Sequence, residues 1–222
     1  MTDKTKIKEV FASVQGEGLF VGVKQVFVRF CGCNLGCKYC DTDHSEVAGK
    51  FYSVEELLSE IKKYPECHSV SLTGGEPLLN VGFLKEFLPN CPLPVYLETN
   101  ATLAGELSEI IDYVDYIAAD IKLPSCTGEE NLWKEHDAFL SKIKHKVVFA
   151  KIVFDKNIKE DEIQESVKIA AKHNIELILQ PKMNSDNTNL DVNFAQNILD
   201  KYLLKYKKVR LIPQVHRLLN IR

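Results

Sequence analysis

Three cysteines are spaced so that they could ligate one metal centre. Cys33, Cys37 and Cys40 form a C-x3-C-x2-C array. A structural zinc site uses four protein ligands, and an electron-transfer [4Fe-4S] cluster is normally held by four cysteines. Three cysteines would leave one iron of such a cluster open to a small chelating ligand. The alternative is a zinc site with Cys31 as fourth ligand, which would be crowded because a single residue separates Cys31 from Cys33.

A second motif, Thr73-Gly74-Gly75-Glu76-Pro77, follows the apolar segment 70–72. Its glycines would let the backbone approach a ligand closely and present amide donors to it. Taken alone, the motif is equally typical of a strand-to-helix turn in which Pro77 opens the helix.

The elements that must position these residues alternate along the chain, with short apolar β-branched runs between amphipathic stretches. Ser53 is predicted to cap a helix, with Glu56 at the capping-box position, and further helices are predicted over 161–173 and 191–206. The predicted strands are 25–30, 69–73, 95–99, 116–121, 147–154, 177–179 and 209–212.

This alternation predicts a mostly parallel sheet, either open and doubly wound or rolled into a closed or partial barrel. Polar segments follow several of the predicted strands, at 73–76, 98–100, 120–122, 180–181 and 214–216. In a barrel those strand ends share one rim, where active sites collect. With no repeat or linker, a single domain over 1–222 is expected.

Composition restricts the function classes. The 222 residues carry a net charge of -3 and are 45% hydrophobic, which gives no electrostatic footprint for nucleic acid. The first residues lack the apolar core of a secretory signal, and no apolar run is long enough to span a membrane. We therefore expect a cytoplasmic protein whose seven cysteines favour metal or redox chemistry over disulfides. Apart from His216, the histidines show no metal-ligand spacing and are expected to be solvated.

Together, the cysteine array and the G-G-E-P turn about forty residues later resemble the radical S-adenosylmethionine (SAM) superfamily. Four segments narrow the resemblance to the 7-carboxy-7-deazaguanine synthase family. They are S-x-Q-G-E-G at 13–18, R-F-x-G-C-N-L-x-C-x-x-C-D-T at 29–42, T-G-G-E-P at 73–77 and Q-x-H-R-x-L at 214–219.

The resemblance implies a partial (β/α)6 TIM-like barrel of the radical SAM type, a [4Fe-4S] cluster, SAM and Mg²⁺. It also implies the radical ring contraction of 6-carboxy-5,6,7,8-tetrahydropterin to 7-carboxy-7-deazaguanine with loss of ammonia, in queuosine-type deazapurine biosynthesis. An electron donor such as flavodoxin or ferredoxin and a homodimer are expected on the same ground.

Site residues follow from the resemblance position by position, and no catalytic side chain is assigned. Arg29 would hold the substrate carboxylate through its guanidinium fork, and Gln15 and Glu17 would meet the pterin edge. Gly16 would allow its backbone to approach, and the carboxylate of Arg222 would reach the same site. The full set is Cys33, Cys37 and Cys40 for the cluster; Thr42 for Mg²⁺; Gly75, Asp120, Ile121, Lys122, Gln180, Pro181, Lys182 and Met183 for SAM; and Val14, Gln15, Gly16, Glu17, Arg29, Thr73, His216 and Arg222 for substrate.

Three alternatives remain at this stage. A glycyl-radical-enzyme activating enzyme would share the cysteines and the G-G-E-P turn but act on a protein partner. A zinc-stapled interaction module would have no catalytic activity. A relative of the synthases with a changed substrate is the third.

Overall fold

The computed structural model describes residues 4–40, 49–144, 146–183 and 191–221. Its centre is one nine-stranded sheet with the order β3-β1-β2-β4-β5-β6-β7-β8-β9. The strands are β1 Thr5–Val14, β2 Lys24–Phe30, β3 Lys50–Tyr52, β4 Ser69–Gly74, β5 Val95–Thr99, β6 Tyr116–Asp120, β7 Val147–Phe154, β8 Glu176–Pro181 and β9 Val209–Leu211.

Seven strands, β2 and β4 to β9, pair parallel with one another, while β1 pairs antiparallel with both β2 and β3. All seven predicted strands are confirmed to within a few residues. β1 and β3 were not predicted. In β1 only Thr5 and Ile7 are buried, so its sequence lacks both the alternation and the apolar run that identify a strand.

Eight helices connect the strands within the described part of the chain. They are α1 Val54–Ile61, α2 Val81–Phe87, α3 Ala104–Ile110, α4 Pro124–Thr127, α5 Trp133–Ser141, α6 Glu160–His173, α7 Val192–Lys205 and α8 Val215–Leu218. The predicted capping box at α1 is confirmed, because the backbone N–H of Glu56 donates to Ser53 Oγ at 3.2 Å and that of Ser53 donates to the Glu56 carboxylate at 2.7 Å. No described helix is long and apolar enough to cross a membrane.

The sheet is a partial barrel, as predicted, since edge strands β3 and β9 do not pair with each other among the described residues. The main core lies between strands and helices, with Leu57, Ile61 and Phe139 fully buried. A second cluster forms where Phe20, in a short 3-10 turn after β1, packs on Tyr96 and Tyr116 with ring centroids 5.1 and 4.7 Å apart. These aromatic rings fill the space near the amino ends of β5 and β6.

Candidate functional site

A cavity of about 450 Å³ lies against the carboxyl ends of the parallel strands. The rim expected from the polar strand ends is present, since Thr73, Glu98, Asn100, Asp120 and Gln180 all line this cavity. The other residues that border it and are used below are Val14, Gln15, Glu17, Arg29, Cys33, Cys37, Tyr39, Cys40, Gly75, Lys122, Lys151, Lys182, Met183, Gln214 and His216.

The loop after β2 brings all three predicted cluster cysteines to this cavity. Burial raises the pKa of the Cys33 and Cys37 thiols, a cost that bonding of the thiolates to iron would offset. Cys31 is buried and does not border the cavity. The donor set therefore fits a cluster held by three cysteines.

The thiols are not arranged as ligands of a single ion. Among the described residues, no three His, Cys, Asp or Glu side chains form a group that could hold one metal ion. In a cubane cluster each cysteine bonds to a different iron, so the ligands stand farther apart than around zinc.

The G-G-E turn docks against the cysteine loop. The backbone N–H of Glu76 donates to the Gly32 carbonyl at 2.8 Å, and a Cβ built at Gly75 would lie 1.7 Å from that same oxygen. Gly74 has a φ of +112°, a conformation that other residues rarely adopt. Gly75 thus borders the cavity. It must be a glycine whether or not a ligand is bound, because any side chain would clash with the Gly32 carbonyl.

Glu76 joins the turn to the end of β5. Its carboxylate accepts hydrogen bonds from Thr99 Oγ1 and from the backbone N–H of Asn100, both at 2.8 Å. It also accepts from the backbone N–H of Leu78 at 3.1 Å. Complete burial raises the pKa of Glu76 to about 7 despite these donors.

Of the residues predicted to contact SAM, Asp120, Lys122, Gln180, Lys182 and Met183 line the cavity together with Gly75. Gln180 Oε1 is buried and accepts no hydrogen bond from the described residues. A buried carbonyl oxygen without a donor is costly, so this atom fits a ligand that carries N–H or O–H groups, as SAM does.

The structure does not bring two predicted SAM contacts to the cavity. The side chain of Ile121 belongs to the hydrophobic core, because residues that follow each other at a strand end point to opposite sides. Pro181 is buried and is also absent from the cavity wall. In the segment 120–122 only the alternate residues Asp120 and Lys122 face the ligand space, whereas Gln180 and both Lys182 and Met183 face it in the segment 180–183.

His136 fixes the backbone next to the cavity. Its Nε2 accepts from the backbone N–H of Lys122 at 3.1 Å, and its Nδ1 lies 3.2 Å from the Ala101 carbonyl, which makes Nδ1 the protonated nitrogen. Burial lowers the pKa of His136 to about 4. The expectation of solvated histidines is wrong here, because a lone histidine in an amphipathic helix carries no sequence signal of its partners.

The segment after β1 crosses the concave face of the sheet. Gln15 Nε2 donates to Gln25 Oε1 of β2 at 3.0 Å and to Glu98 Oε1 of β5 at 2.7 Å. Gln15 Oε1 accepts from the backbone N–H of Glu17 at 3.0 Å. Both N–H donors of Gln15 are therefore used within the protein, and a substrate can meet only its oxygen.

Glu17 forms a buried ion pair with Lys151 of β7, and its other oxygen accepts from Gln214 Nε2 at 2.8 Å. Burial opposes the charge of Glu17, yet Lys151 and Gln214 outweigh it and lower the pKa of this carboxyl to about 2. Glu17 is therefore an ionised acceptor at the cavity wall.

Lys151 was missed by the sequence reasoning. Besides Glu17, its Nζ lies 3.4 Å from Asp120 Oδ1, and Asp120 also pairs with Lys122 at 2.8 Å. Although burial opposes its charge, Asp120 and Glu17 raise the pKa of Lys151 well above its usual value. The sequence did contain a signal for it, because Lys151 is the single charged residue in the otherwise apolar strand Val147–Phe154. A lysine in such a strand needs a counter-charge nearby.

Arg29 and Thr73 stand opposite each other on the paired strands β2 and β4. Thr73 Oγ1 donates to Glu98 Oε2 at 3.1 Å. Arg29 Nε lies 3.2 Å from the Glu9 carboxylate, and the guanidinium carbon is 5.7 Å from the ring centre of Phe11. Arg29 therefore borders the cavity and is oriented by Glu9, a residue that the sequence did not identify. Val14 supplies an apolar part of the same wall.

The C-terminal segment packs on the segment after β1. The backbone N–H of Val215 donates to the Gly16 carbonyl at 2.9 Å, and a Cβ on Gly16 would lie 2.3 Å from His216 Nδ1. Gly16 does not line the cavity, and its small size accommodates His216, which does. Thr42 and Arg222, the predicted Mg²⁺ ligand and terminal carboxylate, lie outside the described residues.

Residues 27–184 match the Radical SAM superfamily. The chain is 37% identical to the 7-carboxy-7-deazaguanine synthase of Geobacter sulfurreducens, with 96% of each chain covered. It is 32% identical to the enzyme of that name from Archaeoglobus fulgidus, covering 99% of this chain and all of the relative.

Solved structures agree on the fold. QueE from Escherichia coli superposes with a TM-score of 0.62 at 22% identity, covering 96% of this chain and 95% of that one. A radical SAM methyltransferase from Sphaerobacter thermophilus also gives 0.62, at 11% identity, covering 86% of this chain and 66% of the other.

Proposed function

Because the chain belongs to the 7-carboxy-7-deazaguanine synthase family of the radical SAM superfamily, we propose that it contracts 6-carboxy-5,6,7,8-tetrahydropterin to 7-carboxy-7-deazaguanine with loss of ammonia, in deazapurine biosynthesis. The observation that carries this function is a cavity in which three cysteines face a network of carboxylates, amides and cations. A glycyl-radical activating enzyme and a zinc module would not need that polar network.

Cys33, Cys37 and Cys40 would hold the [4Fe-4S] cluster, and Gly75, Asp120, Lys122, Gln180, Lys182 and Met183 would hold SAM. When bound, these groups supply one-electron chemistry and abstraction of a hydrogen atom from the substrate. Two observations support this assignment. Gln180 Oε1 is buried and accepts no hydrogen bond from the described residues, and the glycine turn packs against the cysteine loop.

The chain's own polar residues would bind and orient the pterin. Glu17, kept ionised by Lys151, would accept hydrogen bonds from the amino and ring N–H groups. Arg29, which forms an ion pair with Glu9, would bind the substrate carboxylate, and Thr73 and His216 would complete the pocket. The buried side chains of Gln15 and Lys151 beside them would also limit access of water to a reactive radical.

Mg²⁺ dependence is a separate part of the proposal and rests on Thr42, which follows the cysteine array in the family's C-D-T pattern. A hydroxyl together with substrate oxygens suits a hard cation that keeps several waters. We expect Thr42→Ala to raise the Mg²⁺ concentration needed for half-maximal activity. An unchanged requirement would remove Thr42 from the site.

On the family resemblance, we further propose that the Arg222 carboxylate binds the substrate. In support, α8 carries His216 to the cavity, and Arg222 follows His216 by six positions. Appending residues after Arg222 should then impair turnover, and full activity of such a protein would refute the role. A homodimer, a flavodoxin or ferredoxin as electron donor, and a cytoplasmic location are proposed on the family resemblance.

The deciding experiment is an anaerobic assay with carboxytetrahydropterin, SAM, reductant and Mg²⁺. We expect formation of 7-carboxy-7-deazaguanine by the wild-type protein and none by Cys37→Ala, which should also lack the cluster's charge-transfer absorbance. Cys91→Ala is the matched control, since Cys91 packs against the core away from the cavity. A cluster-loaded protein that makes no product would refute the proposed reaction.

A further inference from the structure

Asn100, at the end of β5, reaches across the cavity to the cysteine loop. Its Nδ2 lies 3.9 Å from Cys33 Sγ and donates to Asn34 Oδ1 at 2.8 Å. The backbone N–H of Leu35 lies 3.5 Å from the same sulfur. Cys33 Sγ is therefore faced by two N–H groups, one of them supplied by a distant strand.

The orientation of the Asn100 amide is fixed by its neighbours. Its Oδ1 accepts from the backbone N–H of Thr102 at 3.2 Å and from Thr102 Oγ1 at 2.6 Å. Because a backbone N–H can only donate, the atom facing Thr102 must be the oxygen, and the NH₂ group must face Cys33 and Asn34. The side chain is 6% exposed, and its backbone N–H is held by Glu76.

Hydrogen bonds to the sulfurs of an iron–sulfur cluster favour the reduced state, because they stabilise the added negative charge. We propose that Asn100 is a positioning residue that sets the reduction potential of the cluster through an N–H to the Cys33 sulfur. The inference deepens the proposed function and rests on Cys33 being a cluster ligand. The affected step is the uptake of one electron by the cluster from a reductant, with no bond made or broken in the protein.

The test uses the full chain, reconstituted anaerobically with iron and sulfide and titrated with dithionite while the reduced cluster is followed by EPR. Asn100→Asp keeps the acceptor for Thr102 and replaces the donor by an anionic oxygen, and Asn100→Leu keeps the approximate size without polar atoms. We expect each change to disfavour reduction about tenfold, which for a one-electron couple is a potential about 59 mV more negative.

Asn34→Ala is the matched control, because it removes the other partner of the Asn100 amide and leaves the N–H beside the sulfur. Its potential should stay at the wild-type value. If neither Asn100 variant assembles a cluster, Thr102→Val decides. It removes the shorter of the two hydrogen bonds that hold the amide oxygen and keeps the one from the backbone N–H, so the potential should shift in the same direction.

The outcomes are separable. Iron and sulfide analysis comes first, and a wild-type protein without a cluster would contradict the proposed function itself. A normal cluster with an unchanged potential in the Asn100 variants, or in Thr102→Val if it decides, would overturn the inference. A shift in Asn34→Ala as large as in Asn100→Asp would also overturn it, because loop geometry would then be the cause.

Discussion

The buried pair of Glu17 and Lys151 provides a quantitative test of how this site is held together. The change is Lys151→Met, which keeps an unbranched side chain of similar length and removes the charge. Glu17 would then be left buried with Gln214 as its remaining direct hydrogen-bond donor. We expect a large loss of stability, because an unpaired charge remains in a poorly solvated position.

The magnitude follows from two arguments. Lowering the pKa of Glu17 from 4.5 to about 2 corresponds to about 3 kcal/mol in favour of the ionised form, at about 1.4 kcal/mol per pH unit. Removing one partner of a buried ion pair generally costs about 3–5 kcal/mol. Gln214 contributes part of the lowering of the Glu17 pKa and remains in the variant, so we take the lower end of the second range. We therefore expect the free energy of unfolding to fall by about 3 kcal/mol.

The pH dependence gives the sign. In the wild-type protein the folded-state pKa of Glu17 is below its unfolded value, so its stabilisation is complete above pH 4.5 and is lost as the pH falls toward 2. Without Lys151, burial dominates and the pKa of Glu17 rises, so the folded variant takes up a proton. The deficit of the variant should therefore be largest at neutral pH and shrink as the pH is lowered. The nearby charges of Asp120 and His216 are common to both proteins.

The assay is urea unfolding of both proteins in the same state of cluster loading, at several pH values. A loss of about 3 kcal/mol moves the midpoint by about 1 M for a slope of about 3 kcal/mol/M. Lys85→Met is the matched control, because Lys85 pairs with Glu109 at 2.8 Å on the surface, where such pairs contribute about 0–1 kcal/mol. A loss for Lys151→Met no larger than for Lys85→Met, independent of pH, would refute the reasoning.

Three further results are expected. Gly75→Ala should displace the cysteine loop, because the added Cβ would clash with the Gly32 carbonyl of that loop, and it should lower iron incorporation. Gly105→Ala, whose Cβ would meet no atom within 4 Å, should bind iron normally. His136→Gln keeps a hydrogen-bond donor and an acceptor but cannot titrate. It should therefore abolish the loss of stability that the wild type shows as the pH falls from 6.5 toward 4. If the free energy of unfolding, measured by urea titration, falls equally with pH in both proteins, this expectation is contradicted. Ser53→Ala should lower the free energy of unfolding by about 1 kcal/mol through loss of the cap of α1, measured by the same titration, and an unchanged midpoint would exclude that contribution.

Much of the fold could be predicted because its parallel strands are buried runs. The sequence of Val147–Phe154 is apolar apart from Lys151, and its bounds were predicted correctly. β1 could not be found in this way, because it is antiparallel, lies near the sheet edge and buries few of its side chains. Its omission also hid how Gln15 and Glu17 enter the barrel.

Local sequence determined the chemistry that this protein can perform. The spacing of Cys33, Cys37 and Cys40, the glycines at 74–75 and the segment 13–18 are contiguous motifs, and each can be interpreted from a few neighbouring residues. Tertiary structure alone decided which charges meet. Glu17 and Lys151 are 134 positions apart and Asn100 and Cys33 are 67 apart, and no local pattern encodes such pairs. They come together because the parallel strands curve until their ends share one cavity, where burial makes each unpaired charge costly and so requires a partner.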